Sequence, residues 1–520
     1  MKTNKTVRRY AGTKLIDLVN SGTESVYAFI GKETIWGAPD TPPTVQSDNV
    51  QSENDIYREM LGIKKIAPSD VSYVIPRYNW TSGTVYDIYR DDYSTTTTST
   101  SGATSLEAAN FFVLNSANRV YKCISNNSGV PSTNEPTSTS TGLLQALDGY
   151  IWKYMYSISS PSMIKFASVN WIPIGSDSSV VSAAVDGQIT HIIITNQGTG
   201  YRPSDTVPVF IESDGLKIID TTVAVSVAAG SITAVGTITN PTTGTYTPGT
   251  ALPALLRQVS NTGLSESATA LIDVDNTGKI TTVNLLTGGI GYISGSVTIE
   301  QSSAIAYATT DSLGRIINVY IPNAYNGSGI TTASCQTISN QGSGFVGKVV
   351  ISPRGGHGFD PLSELCASTV VLSSTLQYPS DFPDIPTDVT FRTHGIIISP
   401  KIYGSNTIFS ANTGRYMWAL TIASTTGTLA VGDTVYGSVS GAQARIVSKI
   451  GTTYGVTYLN GYKFISGEVC SKNGGNYGTI SAVVTPEVQP FTGNIIHFDY
   501  IAPITRSTIQ KESLIYYFNF

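Results

Sequence analysis

The chain has 520 residues, which favours several domains over one; 40% of them are hydrophobic, enough to build cores, but only 13% are charged, against ~25% in ordinary soluble domains. A net charge of −5, with basic pairs only at Arg8-Arg9 and Lys64-Lys65, excludes the clustered Lys and Arg face of a nucleic-acid binder, and both pairs read as solvated. No run of about 18 apolar residues is present, so no membrane span is expected.

Residues 1–18 carry basic side chains but no apolar central region, so a secretory signal is not expected. The first helices are predicted over 15–19 and 55–61, the second capped by Ser52 but without the glutamate of a capping box. A run of β-formers over 71–75 then stops at Pro76, which cannot donate to a sheet ladder. Arg77, Tyr78 and Trp80 follow at once, ahead of a Ser82-Gly83 turn and a second aromatic run ending at Tyr89. A fixed strand end that presents rigid aromatics and a guanidinium suits packing and protein recognition better than proton transfer. Arg77, Tyr78, Trp80 and, further on, Trp152 are therefore expected as structural or interface anchors.

Residues 94–102 and 131–142 are almost purely Ser, Thr and other polar or turn residues and read as mobile surface loops. Between them, 111–114 and 119–124 read as a strand pair joined by 115–118. Residues 151–158 alternate, with Trp152, Tyr154 and Tyr156 on one face.

From about Val181 the chain repeats a unit: a Gly, a polar residue and an Ile, then a strand closing on Gly and usually an aromatic. Gly187-Gln188-Ile189 leads to Gly198-Thr199-Gly200-Tyr201, and Gly278-Lys279-Ile280 to Gly289-Ile290-Gly291-Tyr292. Weaker copies run from Gly230-Ser231-Ile232 to Gly244-Thr245-Tyr246 and from Gly314-Arg315-Ile316 to Gly327-Ser328-Gly329. The first Gly supplies φ > 0 for a hairpin turn and the Ile opens the return strand onto the core. A spacing of roughly 40 residues invites a solenoid or propeller, but its unevenness favours small stacked β modules. Residues 354–361 form a Gly-rich loop before a short helix over 363–368. Residues 427–484 then show short strands with Gly turns at about ten-residue spacing, the pattern of a small barrel or sandwich.

Chemistry-bearing patterns are sparse. Cys123, Cys335, Cys366 and Cys470 lie far apart, share no metal spacing and read as reduced thiols. His191 and His497 lie within predicted strands and read as structural. His357 sits among glycines without a second His or a Cys at ligand spacing; a tight loop whose imidazole bonds backbone is expected. Asp87, Asp91, Asp92 and Glu107 could supply the two carboxylates of a glycosidase, yet a solvated acidic turn is the plainer reading. No nucleophile elbow, P-loop, cofactor motif or metal set is present, so no catalytic, cofactor or metal residue is assigned. Twenty-nine tyrosines against fifteen phenylalanines lean towards interfaces that tolerate water.

The ordered set Gly31, Trp36, Pro42-Pro43, Met60-x-Gly62 and Val74-Ile75-Pro76-Arg77-x-x-Trp80 resembles the baseplate wedge protein of T-even-type contractile-tailed bacteriophages, the product of their gene 8. Gly149-Tyr150-Ile151-Trp152-Lys153-Tyr154 is similar to that family's G-Y-V-W-E-Y, and Ile396-Ile397-Ile398-Ser399-Pro400 to its short strand ending in Asn-Pro, with Ser399 in place of Asn. Residues 493–520 resemble the family's C-terminus, sharing the Gly, Pro503-Ile504, Gln510, Glu512 and a closing aromatic, Phe520. The matched blocks are roughly 20–175, 386–402 and 493–520; about 176–385 and 403–492 lie outside the resemblance.

The expected fold is mainly β (a β-rich α+β chain) and multi-domain: a wedge core of β-sheets with few short helices plus inserted small β-sandwich or barrel modules. The expected segments are a core block over 1–175, hairpin repeats over 176–340, a connecting segment with returning core strands over 341–426, a small barrel or sandwich over 427–485, and core strands over 486–520. The resemblance implies a non-enzymatic structural subunit in the tail baseplate of a virion. It would be a homodimer within each wedge, contacting other wedge proteins and moving with them as the sheath contracts. The alternative is a tail adhesin that binds a host-surface glycan or receptor. Neither nucleic acid nor membrane is an expected partner.

Overall fold

The computed structural model describes residues 5–44, 49–204, 206–213, 217–240, 246–258, 266–293, 295–301, 304–322, 326–339 and 341–520. The protein is multi-domain and mostly β, with 45% of the described residues in strands and 11% in helices, so main-chain pairing between distant segments carries the architecture. Two compact units emerge, each discontinuous in sequence: Met1–Pro76 with Ser160–Ile174 and Ala367–Phe520, and Arg77–Ser159 with Gly175–Cys366.

The first unit contains two antiparallel sheets and a barrel. One sheet runs in the order Thr413–Arg415, Met60–Lys65, Val26–Gly31, Thr390–Ile398, Asn494–Thr505. Its central strand, Val26–Gly31, is buried at all six positions, which is why it reads as an unbroken apolar run rather than an alternation. The other sheet runs Lys511–Asn519, Thr369–Gln377, Val71–Pro76, Trp171–Pro173. Gly62 has a steric reason: a Cβ there would lie 2.6 Å from the Asp384 carbonyl oxygen.

The first two helices of this unit differ from expectation at their ends. The first covers Lys5–Asn20, longer than its apolar stripe indicated. The second, Val50–Glu59, is capped by Asn49, whose side chain accepts from the Ser52 N–H at 2.9 Å. Met60 and Leu61 leave the helix because burial in the sheet, at 1% exposure each, outweighs helix propensity. Lys64 is not simply solvated; its ammonium donates to Asp381 at 2.8 Å.

The barrel closes through Trp418–Ala423, Thr453–Tyr458, Gln443–Ile450, Thr434–Gly437, Val469–Lys472 and Gly475–Val484. Leu420, Ile422, Val435, Ile446, Val456 and Ile480 fill its interior. It starts ahead of Gly427 because the apolar Trp418–Ala423 strand pairs with both the third and the last of the later strands.

In the second unit, a four-stranded sheet has the order Phe112–Leu114, Arg119–Ser125, Ile151–Ser157, Leu143–Gln145. The strand pair and the Ile151–Ser157 strand match expectation, but both faces of the latter are buried from Trp152 to Tyr156. The repeat region forms a six-stranded sheet, a four-stranded sheet and a two-stranded pair. Gly230, Gly278 and Gly314 stand at hairpin turns with φ of +79°, +77° and +69°. Gly187 does not, since the strand it opens, Ile189–Thr199, pairs instead with Ser343–Ile351. Tyr201, Tyr246 and Tyr292 are buried and close the sheet ends; Gly244 and Thr245 lie outside the described residues. No disulfide forms among the described residues, and no described helix is long and apolar enough to cross a membrane.

Candidate functional site

The four anchor residues all fall in the second unit. Trp152, from the Ile151–Ser157 strand, is fully buried, stacks on Tyr150 at 5.5 Å between ring centres and meets Tyr86 edge-on at 5.5 Å. Its indole N–H has no partner among the described residues. Trp80 is half-buried against the same aromatic cluster and donates its indole N–H to Ser132 at 3.2 Å. Tyr78 lies against Phe112 at 5.2 Å, and half-buried Arg77 donates to the Asn79 side chain at 3.0 Å.

The Ser/Thr tracts contribute to this packing. Asp87 is fully buried, not part of a solvated turn. Its carboxylate accepts from the Ser101 N–H at 2.9 Å, the Ser101 hydroxyl at 2.6 Å and the Asn110 N–H at 2.8 Å. Asp92 is bound by Arg90, with contacts of 2.6 and 2.8 Å, and by Lys348. Asp91 and Glu107 remain exposed.

The most unusual chemistry lies on the other face of the aromatic sheet. Lys122 and Lys153 are register partners on adjacent antiparallel strands, so both side chains leave the same face. The Lys122 ammonium is fully buried, pairs with Glu364, meets His357 Nδ1 at 2.8 Å and lies 4.0 Å above the Tyr89 ring. Such a stack adds a cation–π attraction where water is absent. Glu364, 3% exposed, also accepts from the Gly358 N–H at 2.8 Å and the Asp360 N–H at 3.2 Å. Gly358, at φ +90°, lets the loop bring its N–H there; a Cβ would meet Val180 Cγ1 at 2.3 Å.

The electrostatics follow from burial. Desolvation alone would raise the Glu364 carboxyl, but the charge and hydrogen bond of Lys122 bring it down to about 2. Desolvation, then the Lys122 charge, pushes His357 down to about 3, so its imidazole is neutral. With Nδ1 accepting from Lys122, the proton sits on Nε2, which is buried and has no partner among the described residues. Desolvation and the neighbouring Lys122 lower Lys153 to about 8; its ammonium donates to the Thr141 carbonyl. His357 thus bonds an ammonium rather than backbone. Lys122, Lys153 and Glu364 were not singled out from sequence; the available signal was a lysine at the centre of each of two apolar strands, RVYKCIS and IWKYMYS.

Beside this centre is a cavity of about 260 Å³ lined by Lys153, His357, Thr141, Gln188, Thr190 and Asn326, among others. A second, wider groove of about 630 Å³ is lined by Tyr89, Arg90, Asp92, Asp186, Lys348 and Arg354, with neighbouring backbone. Among the described residues no group of three His, Cys, Asp or Glu side chains could hold a metal ion. No family model matches the chain, and no curated protein matches it.

Proposed function

We propose that this chain is a structural subunit of the baseplate wedge of a contractile phage tail, one that joins wedge proteins and moves with them during sheath contraction. One observation carries the reading. Four strands from segments that resemble the wedge family, drawn from three distant parts of the sequence, pair directly within the first unit, while the resembling residues 77–80 and 149–154 fall in the second. Met60–Lys65, Val26–Gly31, Thr390–Ile398 and Asn494–Thr505 are neighbours in one sheet. Val71–Pro76 and the C-terminal Lys511–Asn519 stand in the other sheet on either side of Thr369–Gln377, a strand outside the resemblance. Segments selected together to form one core are expected to keep their motifs while the segments between them vary.

In the proposed assembly the chain contacts other wedge proteins and a second copy of itself, in the tail baseplate of the virion, without catalytic turnover. Locating the chain in an electron-microscopy map of whole virions tests this. Density for it in the baseplate, in contact with other tail proteins, is the expected result; density only in peripheral fibres, or none in the tail, overturns it. One observation favours a second reading, a tail adhesin for a host-surface glycan: the wide groove brings charged side chains around the half-buried Tyr89, a lining suited to sugar hydroxyls and a ring face. Binding of the purified chain to host cells, with no binding to tail proteins, would select it.

A further inference from the structure

The buried centre of the second unit holds more positive than negative charge. Two ammonium groups, Lys122 and Lys153, face one carboxylate, Glu364, and that carboxylate is already engaged by Lys122 and two backbone N–H groups. His357 is neutral and does not change the balance. Lys153 is 4% exposed; its one hydrogen bond is to a carbonyl, and it makes no salt bridge among the described residues. A buried cation without a counter-charge is costly, and like charges on directly opposed strand positions add to the cost. Sheets do not ordinarily retain that arrangement unless something compensates it.

The cavity next to Lys153 supplies the space. Among the described residues no carboxylate lines it. Gly142, Ala183 and Val185 at its rim are exposed, giving an entry path. Gln188 and Asn326 add amide groups able to donate, and His357 brings its ring against the same space with Nε2–H unpartnered among the described residues. We propose that this cavity binds one small oxyanion, of carboxylate or phosphate class, with Lys153 as its counter-charge. The anion completes a four-charge arrangement, two ammoniums against two anionic groups, which neither lysine attains with Glu364 alone. This inference stands apart from the wedge reading and survives if that reading fails.

The test uses the full chain at neutral pH and constant ionic strength, with inorganic phosphate, glucuronate or chloride as the added anion. Reductive methylation with formaldehyde and cyanoborohydride, read by peptide mass spectrometry, reports the access of Lys153. Saturable protection of Lys153 by phosphate or by glucuronate, but not by chloride, is expected, and whichever anion protects names the class. In parallel, calorimetry should show one site for that anion in the wild type and none in Lys153→Met. Equal protection by chloride, or no protection by any of the three, overturns the proposal, as does unchanged binding by Lys153→Met. Should Lys153→Met fail to fold, the wild-type protection experiment decides alone.

Discussion

Glu468 in the barrel and Glu364 in the second unit are each 3% exposed, yet they are held by different means. Glu468 accepts from the N–H groups of Val439, Ser440 and Ile465 at 2.8–2.9 Å and from the Ser440 hydroxyl at 2.8 Å. No cation is needed: hydrogen bonds from the 438–440 and 465–467 turns outweigh desolvation and hold its carboxyl below the usual range. Glu364 has backbone donors too, but its second oxygen faces the Lys122 ammonium. The difference shows what each burial commits the fold to. A carboxylate caged by turns depends only on local backbone. One matched to a buried lysine ties together residues 242 positions apart and leaves a stranded charge when either partner is lost.

The same substitution in both places gives the largest separation. Glu364→Gln removes the counter-charge of a fully buried ammonium and is expected to cost about 3–5 kcal/mol. Adding Lys122→Met should recover more than half of that, since an apolar pair of similar volume avoids the desolvation that the ion pair must offset. Peptide-resolved hydrogen exchange across residues 112–157 reads the effect without requiring the whole chain to unfold as one. A double variant no more stable than Glu364→Gln alone would break the comparison. Acid should act the same way. His357 is depressed from 6.5 to about 3 and Glu364 from 4.5 to about 2. The unfolded chain therefore takes up both protons first, and stability present above about pH 6.5 is lost progressively as the pH falls towards 2.

Lys153 sharpens the contrast from the opposite direction, because it is buried near a carboxylate that is already occupied. Its folded value near 8 lies below the ordinary 10.5. The unfolded chain thus binds that proton more tightly, and the penalty is full below pH 8 and disappears as the pH rises towards 10.5. Lys153→Met is expected to stabilise the second unit by about 1–3 kcal/mol at pH 7 in an anion-free buffer, with the gain shrinking above pH 8. Exchange rates measured at pH 7 and at pH 9.5, each normalised to the intrinsic rate at that pH, check this; a gain independent of pH would show that apolar packing, not charge, is responsible.

These two centres were unequally legible in the sequence. The strand stopped by Pro76, the turns at Gly230, Gly278 and Gly314 and most of the barrel follow from local rules: Pro lacks a donor, Gly takes φ > 0, and alternation marks the sheet face. The Gly turns within 427–484 that shape the barrel were visible for the same reason. The helix over Lys5–Asn20 was seen only in its apolar stripe, since its polar first half carries no period. Lys122, Lys153 and Glu364 could not be joined from sequence, because no local rule links a strand lysine to a glutamate beyond a repeat region. Lysines flanked by apolar strand residues read as edge or solvent-facing positions until burial of both faces is known. His357 was noticed for its glycines, but its partner was misjudged for the same cause.

The smallest effect belongs to the barrel, and it bears on whether a backbone cage is as fragile as an ion pair. Glu468→Gln keeps the side-chain length and one carbonyl oxygen. If the amide nitrogen takes the place of Oε1, the Ser440 hydroxyl can rotate to accept from it, and only the Ile465 N–H loses its partner. Placing the nitrogen at Oε2 would strand two N–H groups, those of Val439 and Ser440, so the first orientation wins. One orphaned donor and the loss of charge assistance on the remaining bonds amount to about 1–2 kcal/mol. The wild-type contribution is present above pH 4.5, the carboxyl's ordinary value, and is lost as the pH falls below it; the amide variant lacks that step. Exchange of the Val469–Lys472 and Gly475–Val484 strands should therefore show a modest loss at pH 7 that narrows on acidification. A loss as large as that of Glu364→Gln would mean that the turns themselves, not only their hydrogen bonds, depend on the charge of Glu468.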